Sequence, residues 1–221
     1  MEHEVKLLDH GYLRYIEHWG SDERIIEAAR MSTGKGFLGW GPKEDCSPGD
    51  ERLLRYLWEH KHVTPFEMAG MTIEVQAPIM VFREWHRHRT QSYSEMSARY
   101  TPLPSVNYLP TVERLMLNSK TNKQAGTVLG AAVLTEELAE KFRSSLEKVY
   151  QIDQEMYEAA LSAGVPKELA RLHLPVGRYS RMRAGANLRN WLAFLSLRMD
   201  EAAQWEIQRY AYAVGDLIAL H

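Results

Sequence analysis

Residues 71–79, Met-Thr-Ile-Glu-Val-Gln-Ala-Pro-Ile, change their hydrophobic period partway along. Apolar side chains alternate with polar ones over the first six positions, and this period of two predicts a half-buried strand. Pro78 lacks a backbone N–H, which a helix tolerates in its first turn because that group has no intrahelical partner there. The pattern predicts a strand that passes directly into a helix over residues 79–89, and this junction decides the fold class.

Helices and short extended segments flank the junction. Extended structure is predicted over residues 4–18 and 178–186, and helices over 22–32, 50–61, 134–161, 166–174 and 187–198. Asp200 can cap a last helix, and the prolines within residues 90–110 predict a loop with at most short extended pieces. No repeat or linker divides the chain. We therefore expect a single domain over residues 1–221, of α+β class, with a small, mainly antiparallel sheet packed with several helices.

The helix predicted over residues 134–161 is amphipathic, with one apolar side and one strongly charged side. Its apolar positions are Leu134, Leu138, Phe142, Val149, Ile152 and Met156.

The composition is that of an ordinary globular protein. Hydrophobic residues make up 45% and charged residues 25% of the 221 positions, which excludes disordered, collagen-like and coiled-coil classes. No apolar run approaches the roughly 20 residues of a membrane span, and the first residues are too polar for a signal peptide, so we expect a cytoplasmic protein. Cys46 is the single cysteine, which excludes an internal disulfide. Its acidic neighbour Asp45 should raise the pKa of the thiol, so we predict no cysteine nucleophile.

The basic residues are unevenly distributed. A net charge of -2 argues against a protein that coats long nucleic acid. Residues 83–99 nevertheless hold four Arg and residues 171–198 hold six, with no Lys in either segment. Because the planar guanidinium grips phosphate or carboxylate at two points, this segregation favours shaped anion pockets. The alternative is that the Arg stems pack and their heads pair with distant carboxylates.

Two other motifs are weak. Residues 34–39 match GxGxxG, but a helix precedes them and a loop follows, so a Rossmann site is not expected. The pairs His60/His62 and His86/His88 suggest metal ligands, yet side chains two positions apart on a helix point about 200° apart. We predict no metal site, since neutral histidines hydrogen-bonded in a polar cleft explain these residues as well.

The strongest local signal is the segment Arg87-His88-Arg89-Thr90-Gln91-Ser92-Tyr93-Ser94-Glu95-Met96-Ser97-Ala98-Arg99-Tyr100. A helix end with two guanidiniums and an imidazole leads into a hydroxyl-rich loop that closes on another Arg. A ligand that combines a phosphate with a planar heterocycle requires such groups. The alternative is that the serines satisfy the backbone of the loop.

This segment closely resembles the signature of the flavin-dependent thymidylate synthases, Arg-His-Arg followed by seven residues and Ser, here Arg87-His88-Arg89 and Ser97. Further resemblances follow in the family's order over nearly the whole chain. They lie at residues 29–32 (Ala-Arg-Met-Ser), 62–67 (His-Val-Thr-Pro-Phe-Glu), 77–79, 168–171 (Glu-Leu-Ala-Arg), 187–189 (Asn-Leu-Arg), 194–198 and 203–207.

The resemblance implies an activity and its partners. Members of this family convert dUMP to dTMP with 5,10-methylenetetrahydrofolate as one-carbon donor, FAD as hydride carrier and NADPH as reductant, without an enzyme cysteine nucleophile. They are homotetramers in which different subunits complete each active site. By this resemblance dUMP, folate and NADPH are the small-molecule ligands, and neither nucleic acid nor a membrane is a partner.

The resemblance also implies roles for individual residues. The catalytic residues would be Arg198, whose fixed charge stabilises negative charge on the uracil ring, and Ser97. FAD would be bound by His62, Thr64, Arg87, His88, Arg89, Glu95, Asn187, Leu188 and Arg189. The nucleotide dUMP would be bound by Glu84, Arg87, Glu95, Met96, Ser97, Ala98, Arg99, Arg171 and Arg198.

Four positions depart from the family pattern. Glu84 replaces a common Gln, Ser94 a common Asn, Ala193 an Asn and Ala202 a His, so no flavin contact is transferred to the two alanines. A carboxylate at position 84 would repel a nearby phosphate unless it is paired with Arg87 or protonated.

Two hypotheses from other classes remain at this point. One is an RNA-binding module in which the Arg segments track phosphates and Tyr93, Tyr100 and Tyr179 stack on bases. The other is a metal-dependent phosphohydrolase that uses the His pairs.

Overall fold

The structure is a computed structural model that describes residues 4–41, 49–117, 126–127, 131 and 133–221. The strands in these ranges are β1 (Glu4–Leu7), β2 (Gly11–Trp19), β3 (Gly70–Pro78), β4 (Ser92–Glu95) and β5 (Tyr179–Asn187). The α-helices are α1 (Asp22–Arg30), α2 (Asp50–Glu59), α3 (Ile79–Trp85), α4 (Val112–Met116), α5 (Glu136–Ser162), α6 (Lys167–Ala170), α7 (Leu188–Arg198) and α8 (Trp205–Leu220). The described strands form one sheet in the order β1-β2-β3-β5-β4 with antiparallel neighbours. The predicted α+β class is confirmed.

Strand β3 is the centre of the sheet and forms its core. It pairs with β2 on one side and with β5 on the other. The apolar positions Met71, Ile73 and Val75 are buried in one cluster with residues of α3, α7 and α8. Since successive strand side chains point to opposite faces, Thr72 and Glu74 lie on the other, more open face. The sequence alternation therefore determines which face the helices cover.

A smaller apolar cluster attaches α1 and α2 to the sheet. Ile25 of α1, Leu57 of α2 and Phe66 are buried together, and Leu188 and Leu192 of α7 pack against them. Phe66 belongs to the 3-10 turn Thr64–Met68, which follows α2. This cluster holds that turn against the beginning of α7.

Helix α3 ends four residues before the predicted end at position 89. The hydroxyl of Tyr93 lies within hydrogen-bond distance of the carbonyl oxygens of His88 (2.7 Å) and Trp85 (3.2 Å), and its one proton donates to the nearer His88 oxygen or is shared between the two. The Trp85 carbonyl also accepts from the His88 backbone N–H (3.0 Å), so the chain leaves the helix in a tight turn that the Tyr93 side chain contacts. The residues Arg87, His88 and Arg89 consequently lie in a turn beside the sheet.

Three further differences from the prediction concern local elements. Asp200 does not cap α8: its side chain accepts from Ala202 N–H (2.8 Å), and α8 begins only at Trp205. Ser92–Glu95, inside the predicted loop, forms the edge strand β4 because it pairs with β5. Helix α4, capped by the Thr111 side chain, was not predicted.

The glycine-rich segment 34–39 is a loop without a preceding strand or a following helix. The side chain of Asp50 accepts from Leu38 N–H (2.7 Å) and forms an ion pair with Arg30, which ties the loop to α1 and α2. The expectation that this segment is not a Rossmann site is confirmed. Cys46 lies outside the described residues.

Helix α5 has the predicted length, but its apolar side is not part of the core of this chain. Its apolar positions are between 36% and 63% exposed: Leu134 just before the helix, then Leu138, Phe142, Val149, Ile152 and Met156. A row of exposed apolar side chains of this kind marks a surface that contacts another molecule. Among the helices that the structure describes, none has the length and hydropathy to cross a membrane.

Candidate active site

Helix α7 runs alongside the end of α3 and positions the first group of predicted site residues. The side chain of Asn187 caps α7 by accepting from Asn190 N–H (3.0 Å). The backbone N–H of Leu188 donates to Ala69 (2.7 Å), and the Asn190 side chain donates to Thr90 (3.1 Å). The bond to Thr90 holds the first turn of α7 against the residue that follows the Arg-His-Arg motif, and the bond to Ala69 holds it against the beginning of β3.

At the other end of α7, Arg198 connects the two arginine-rich segments. Its Nε–H donates to His88 Nε2 (2.9 Å), its Nη1 to Glu84 Oε2 (2.9 Å) and its Nη2 to the Glu84 carbonyl (2.8 Å). Arg198 is only 8% exposed. Each guanidinium nitrogen therefore has one protein acceptor, and two of the five N–H groups remain for another ligand.

The Glu84 carboxylate is therefore paired, but not with the expected residue. Pairing with Arg87 was one way to avoid repulsion, whereas the structure pairs Glu84 with Arg198. Helix α7 brings Arg198 within reach although the two residues are 114 positions apart in sequence.

His88 is neutral near pH 7 because of this environment. Burial, and then the charge of Arg198, lower the pKa of His88 from 6.5 to about 4, while Glu84 acts in the opposite direction. Since Nε2 accepts from Arg198, the proton of the neutral ring is on Nδ1. The ring also packs edge-on against Phe194, with centroids 4.9 Å apart. His88 is thus fixed as an acceptor for Arg198 and a potential donor through Nδ1.

The predicted flavin residues His62, Thr64 and Arg189 lie around the N-terminal end of α7. Arg189 forms an ion pair with Glu67 of the 3-10 turn, which Thr64 begins. His62 is exposed and follows Lys61, whose positive φ of 60° turns the chain at the end of α2.

Two aromatic rings of α2 and its C-cap lie beside His62. Tyr56 stacks on His60 at 3.9 Å and meets the His62 ring edge-on at 6.1 Å. Neither Tyr56 nor a stacking role of His60 was predicted from the sequence, although a Tyr four residues before a His on a helix indicates such a contact.

Arg87 and Arg89 are exposed, and Thr90, the next residue after Arg89, accepts from the Asn190 side chain in the first turn of α7. Among the described residues, no hydrogen bond or ion pair occupies either guanidinium. An unpaired guanidinium next to a helix N-terminus favours an anionic ligand.

A second group of predicted residues forms the turn after β4. Ser97 Oγ accepts from the backbone N–H (3.3 Å) and the Nε–H (3.4 Å) of Arg99. The Ser97 carbonyl accepts from Tyr100 (3.0 Å) and Thr101 (3.2 Å). Ala98 is buried, which anchors the turn. The turn presents a hydroxyl and a guanidinium on its outer side.

The flanks of this turn are also set by the sheet and by α6. Met96 N–H donates to the Arg181 carbonyl of β5 (2.8 Å), and Glu95 ends β4 with an exposed side chain. The Lys167 ammonium donates to the Tyr100 carbonyl (2.9 Å), and Arg171 follows α6 with no side-chain partner in the described residues. Lys167 was not predicted as a site residue, although its position just before residues 168–171 could have indicated it.

Among the described residues, no hydrogen bond, ion pair or ring contact joins the two groups. The first contains Arg198, His88 and the N-terminus of α7, and the second contains Ser97 to Tyr100 with α6. Strand β4 connects them and spans about 10 Å at roughly 3.4 Å per residue. No side-chain contact between Arg198 and Ser97 occurs in the described structure.

The histidine pairs do not form a metal centre in the described ranges. No group of three or more His, Cys, Asp or Glu side chains is placed to hold an ion there. His88 is used by Arg198, and His86 packs against Tyr93 with ring centroids 4.9 Å apart.

Comparison with known proteins assigns the chain to a family. The family model described as thymidylate synthase complementing protein matches residues 14–220. The flavin-dependent thymidylate synthase of Thermosipho melanesiensis is 39% identical over 214 residues, which cover 97% of this chain and 88% of that protein. This chain belongs to the flavin-dependent thymidylate synthase family.

Other relatives extend the match over the full length. The flavin-dependent thymidylate synthase of Anaplasma marginale is 38% identical over 221 residues, which cover 100% of this chain and 72% of that protein. The structure of the UMP/dUMP methylase PolB from Streptomyces cacaoi bound with 5-Br dUMP has a TM-score of 0.79 and 30% identity, covering 98% of this chain and 93% of that one. Membership in the flavin-dependent thymidylate synthase family favours a thymidylate synthase over the RNA-binding and phosphohydrolase hypotheses.

Proposed function

We propose that this member of the flavin-dependent thymidylate synthase family converts dUMP to dTMP in a site built from its two arginine-rich segments. We also propose that it is a cytoplasmic enzyme of nucleotide synthesis. The observation that carries the proposal is the contact of Arg198 with His88, which joins residues 171–198 to the Arg-His-Arg motif. The family name assigns the reaction, and the described geometry supports the residue roles that follow.

The residues at the N-terminal end of α7 fit FAD. Arg87 and Arg89 have no acidic partner in the described structure, and Thr90 beside Arg89 is bonded to the first turn of α7, an arrangement that suits a diphosphate. The exposed rings of Tyr56, His60 and His62 offer a surface for a planar group. Thr64, Asn187, Leu188 and Arg189 would complete the contacts, with Glu95 from β4. FAD supplies the hydride that turns the transferred one-carbon unit into a methyl group, with NADPH as reductant and 5,10-methylenetetrahydrofolate as carbon donor.

The turn after β4 fits the phosphate of dUMP. Ser97 Oγ, the guanidiniums of Arg99 and Arg171 and the Met96–Arg99 backbone provide donors of the kind that a dianion requires. Lys167 adds positive charge beside this turn. We assign phosphate binding to this group and polar contacts to Ser97 and Glu95.

Arg198 is the residue that we assign to the chemical step. Uracil C5 becomes nucleophilic when negative charge on the ring is stabilised, which a fixed cation does without reorganising. Three acceptors already orient the Arg198 guanidinium, and its two remaining N–H groups can donate to a ring carbonyl. Helix α7 places this donor at its C-terminal end.

We propose a homotetramer whose subunits complete each other's sites. In the described part of the chain no hydrogen bond, ion pair or ring contact joins the group around Arg198 to the group around Ser97, which favours a site completed by a second copy. The exposed apolar side of α5 supplies a surface for self-association. Ile152→Asp, at a position 63% exposed, should reduce the mass measured by sedimentation. An unchanged mass would contradict this surface.

Release of tritium from C5-labelled dUMP tests the reaction. Release should require FAD, NADPH and 5,10-methylenetetrahydrofolate, and Arg198→Ala should lower turnover by about 10²–10³ while flavin absorbance stays with the protein. The matched control is Arg24→Ala, whose side chain is 69% exposed on α1. Protein that releases no tritium with all components present would contradict the proposed function.

Mixing two weakly active variants tests the shared site. Arg198→Ala and Arg171→Ala should each have strongly reduced activity alone. If these residues act from different subunits, subunit exchange should restore part of the activity, because some sites then combine two intact halves. Mixtures with no gain in activity after confirmed exchange would assign both residues to one chain.

A further inference from the structure

Glu84 supplies two of the three acceptors that hold Arg198. Its carboxylate oxygen Oε2 and its backbone carbonyl accept from two different guanidinium nitrogens, at 2.9 and 2.8 Å. Among the described residues Glu84 is the carboxylate ion-paired with Arg198. The Arg198 side chain is 10% exposed and that of Glu84 is 45% exposed, so the pair lies at the boundary between core and solvent.

The arginines of the site differ in whether a carboxylate offsets their positive charge. Arg198 offers two hydrogen-bond donors, but its positive charge is offset by the carboxylate. Arg171 offers a charge with no carboxylate partner in the described structure, and Arg99 contacts only a hydroxyl and a ring. A dianionic phosphate is attracted to a positive charge that no carboxylate offsets. The uncharged uracil ring instead needs hydrogen-bond donors, and these do not have to carry a net positive charge.

We propose that Glu84 is a positioning and specificity-determining residue that fixes the orientation of Arg198 and sets the direction in which the nucleotide binds. The backbone carbonyl and carboxylate of Glu84, with His88, hold the guanidinium in one rotamer. The carboxylate also makes the Arg198 end of the site a poor phosphate site, so the ring binds there and the phosphate binds at Arg99 and Arg171. This inference rests on the proposed function.

Two variants separate these effects. Glu84→Gln keeps an oxygen acceptor but removes the negative charge, and Glu84→Ala removes the side-chain acceptor as well. For Glu84→Ala we expect kcat to fall by about tenfold or more with a smaller change in the KM for dUMP, because a looser Arg198 weakens charge stabilisation on the ring. In Glu84→Gln, most of the kcat that is lost in Glu84→Ala should be retained.

Inhibition by inorganic phosphate tests whether Glu84 sets the direction in which the nucleotide binds. In the Glu84→Gln variant no carboxylate offsets the charge of Arg198. Phosphate should therefore compete with dUMP more strongly, with an inhibition constant about fivefold lower than for wild type. The control is Glu27→Gln, which removes a carboxylate paired with Arg24 on the exposed face of α1 and should leave both constants unchanged.

The outcomes distinguish the inference from the proposed function. Wild type without tritium release contradicts the proposed function. If wild type is active and Glu84→Ala has the same kcat as wild type, the positioning role is overturned. It is also overturned if the kcat of Glu84→Gln is no higher than that of Glu84→Ala. Unchanged phosphate inhibition in Glu84→Gln overturns the role in direction. Melting temperatures are measured first, and if Glu84→Ala does not fold, Glu84→Ser provides the variant without the carboxylate.

Discussion

Arg114→Met should destabilise the fold strongly because it leaves a buried carboxylate without its cation. Glu206, at the start of α8, has a side chain only 3% exposed. It accepts from Arg114 Nε (2.7 Å) and Nη2 (3.1 Å) and from the Tyr108 hydroxyl (3.0 Å). Removing one partner of a buried pair costs about 3–5 kcal/mol, and for a chain of this length each kcal/mol lowers Tm by roughly 2–4 °C. We expect a fall in Tm of about 6–20 °C.

Calorimetry and urea unfolding measure this effect. Glu206→Gln should cost less than Arg114→Met, since Arg114 is partly exposed and can reach water. Arg24→Ala is the matched control, because an exposed i,i+3 pair contributes about 0–1 kcal/mol. An Arg114→Met variant within about 1 kcal/mol of wild type would refute the reasoning that buried Glu206 depends on this partner.

Three other substitutions have defined outcomes. Asn187→Ala should cost about 1 kcal/mol in urea unfolding of flavin-free protein, and Asn187→Ser should restore most of it as a cap; equal losses would contradict the capping role. His88 has a folded pKa of about 4 against an ordinary 6.5, so the unfolded chain binds more protons between these values. Stability should therefore fall as the pH is lowered from 6.5 towards 4, and His88→Gln should flatten that slope; an unchanged slope would count against the assignment. Gly70→Ala should lower the free energy of unfolding by about 1–3 kcal/mol. A Cβ at this position would lie 2.1 Å from Trp19 Cζ2 and 2.5 Å from the Ala186 carbonyl oxygen. A variant as stable as wild type would contradict this crowding.

Patterns within a few residues were sufficient to predict much of the fold. The alternation over residues 71–79 identified β3 and the start of α3 because burial of one face depends on local spacing. Bonds between distant segments set the remaining boundaries. Tyr93 bonds to the turn that follows α3, and β4 forms because β5 offers an edge to pair with; neither contact appears in the local pattern.

The candidate site divides in the same way. The resemblance over residues 87–97 selected residues that the structure gathers in two groups. It did not indicate that Glu84 would pair with Arg198, because that contact depends on how α7 packs along α3. The exposed apolar side of α5 could not be recognised from sequence either, since an amphipathic helix has the same pattern whether its partner is this chain or another.

An experimental structure of the assembled protein with FAD and dUMP tests the central claim most directly. The account predicts a single cavity in which Arg198 donates to the uracil ring while Arg99 and Arg171 bind the phosphate, with the two groups contributed by different subunits. A nucleotide bound with its phosphate on Arg198, or bound away from Arg198 altogether, would contradict it.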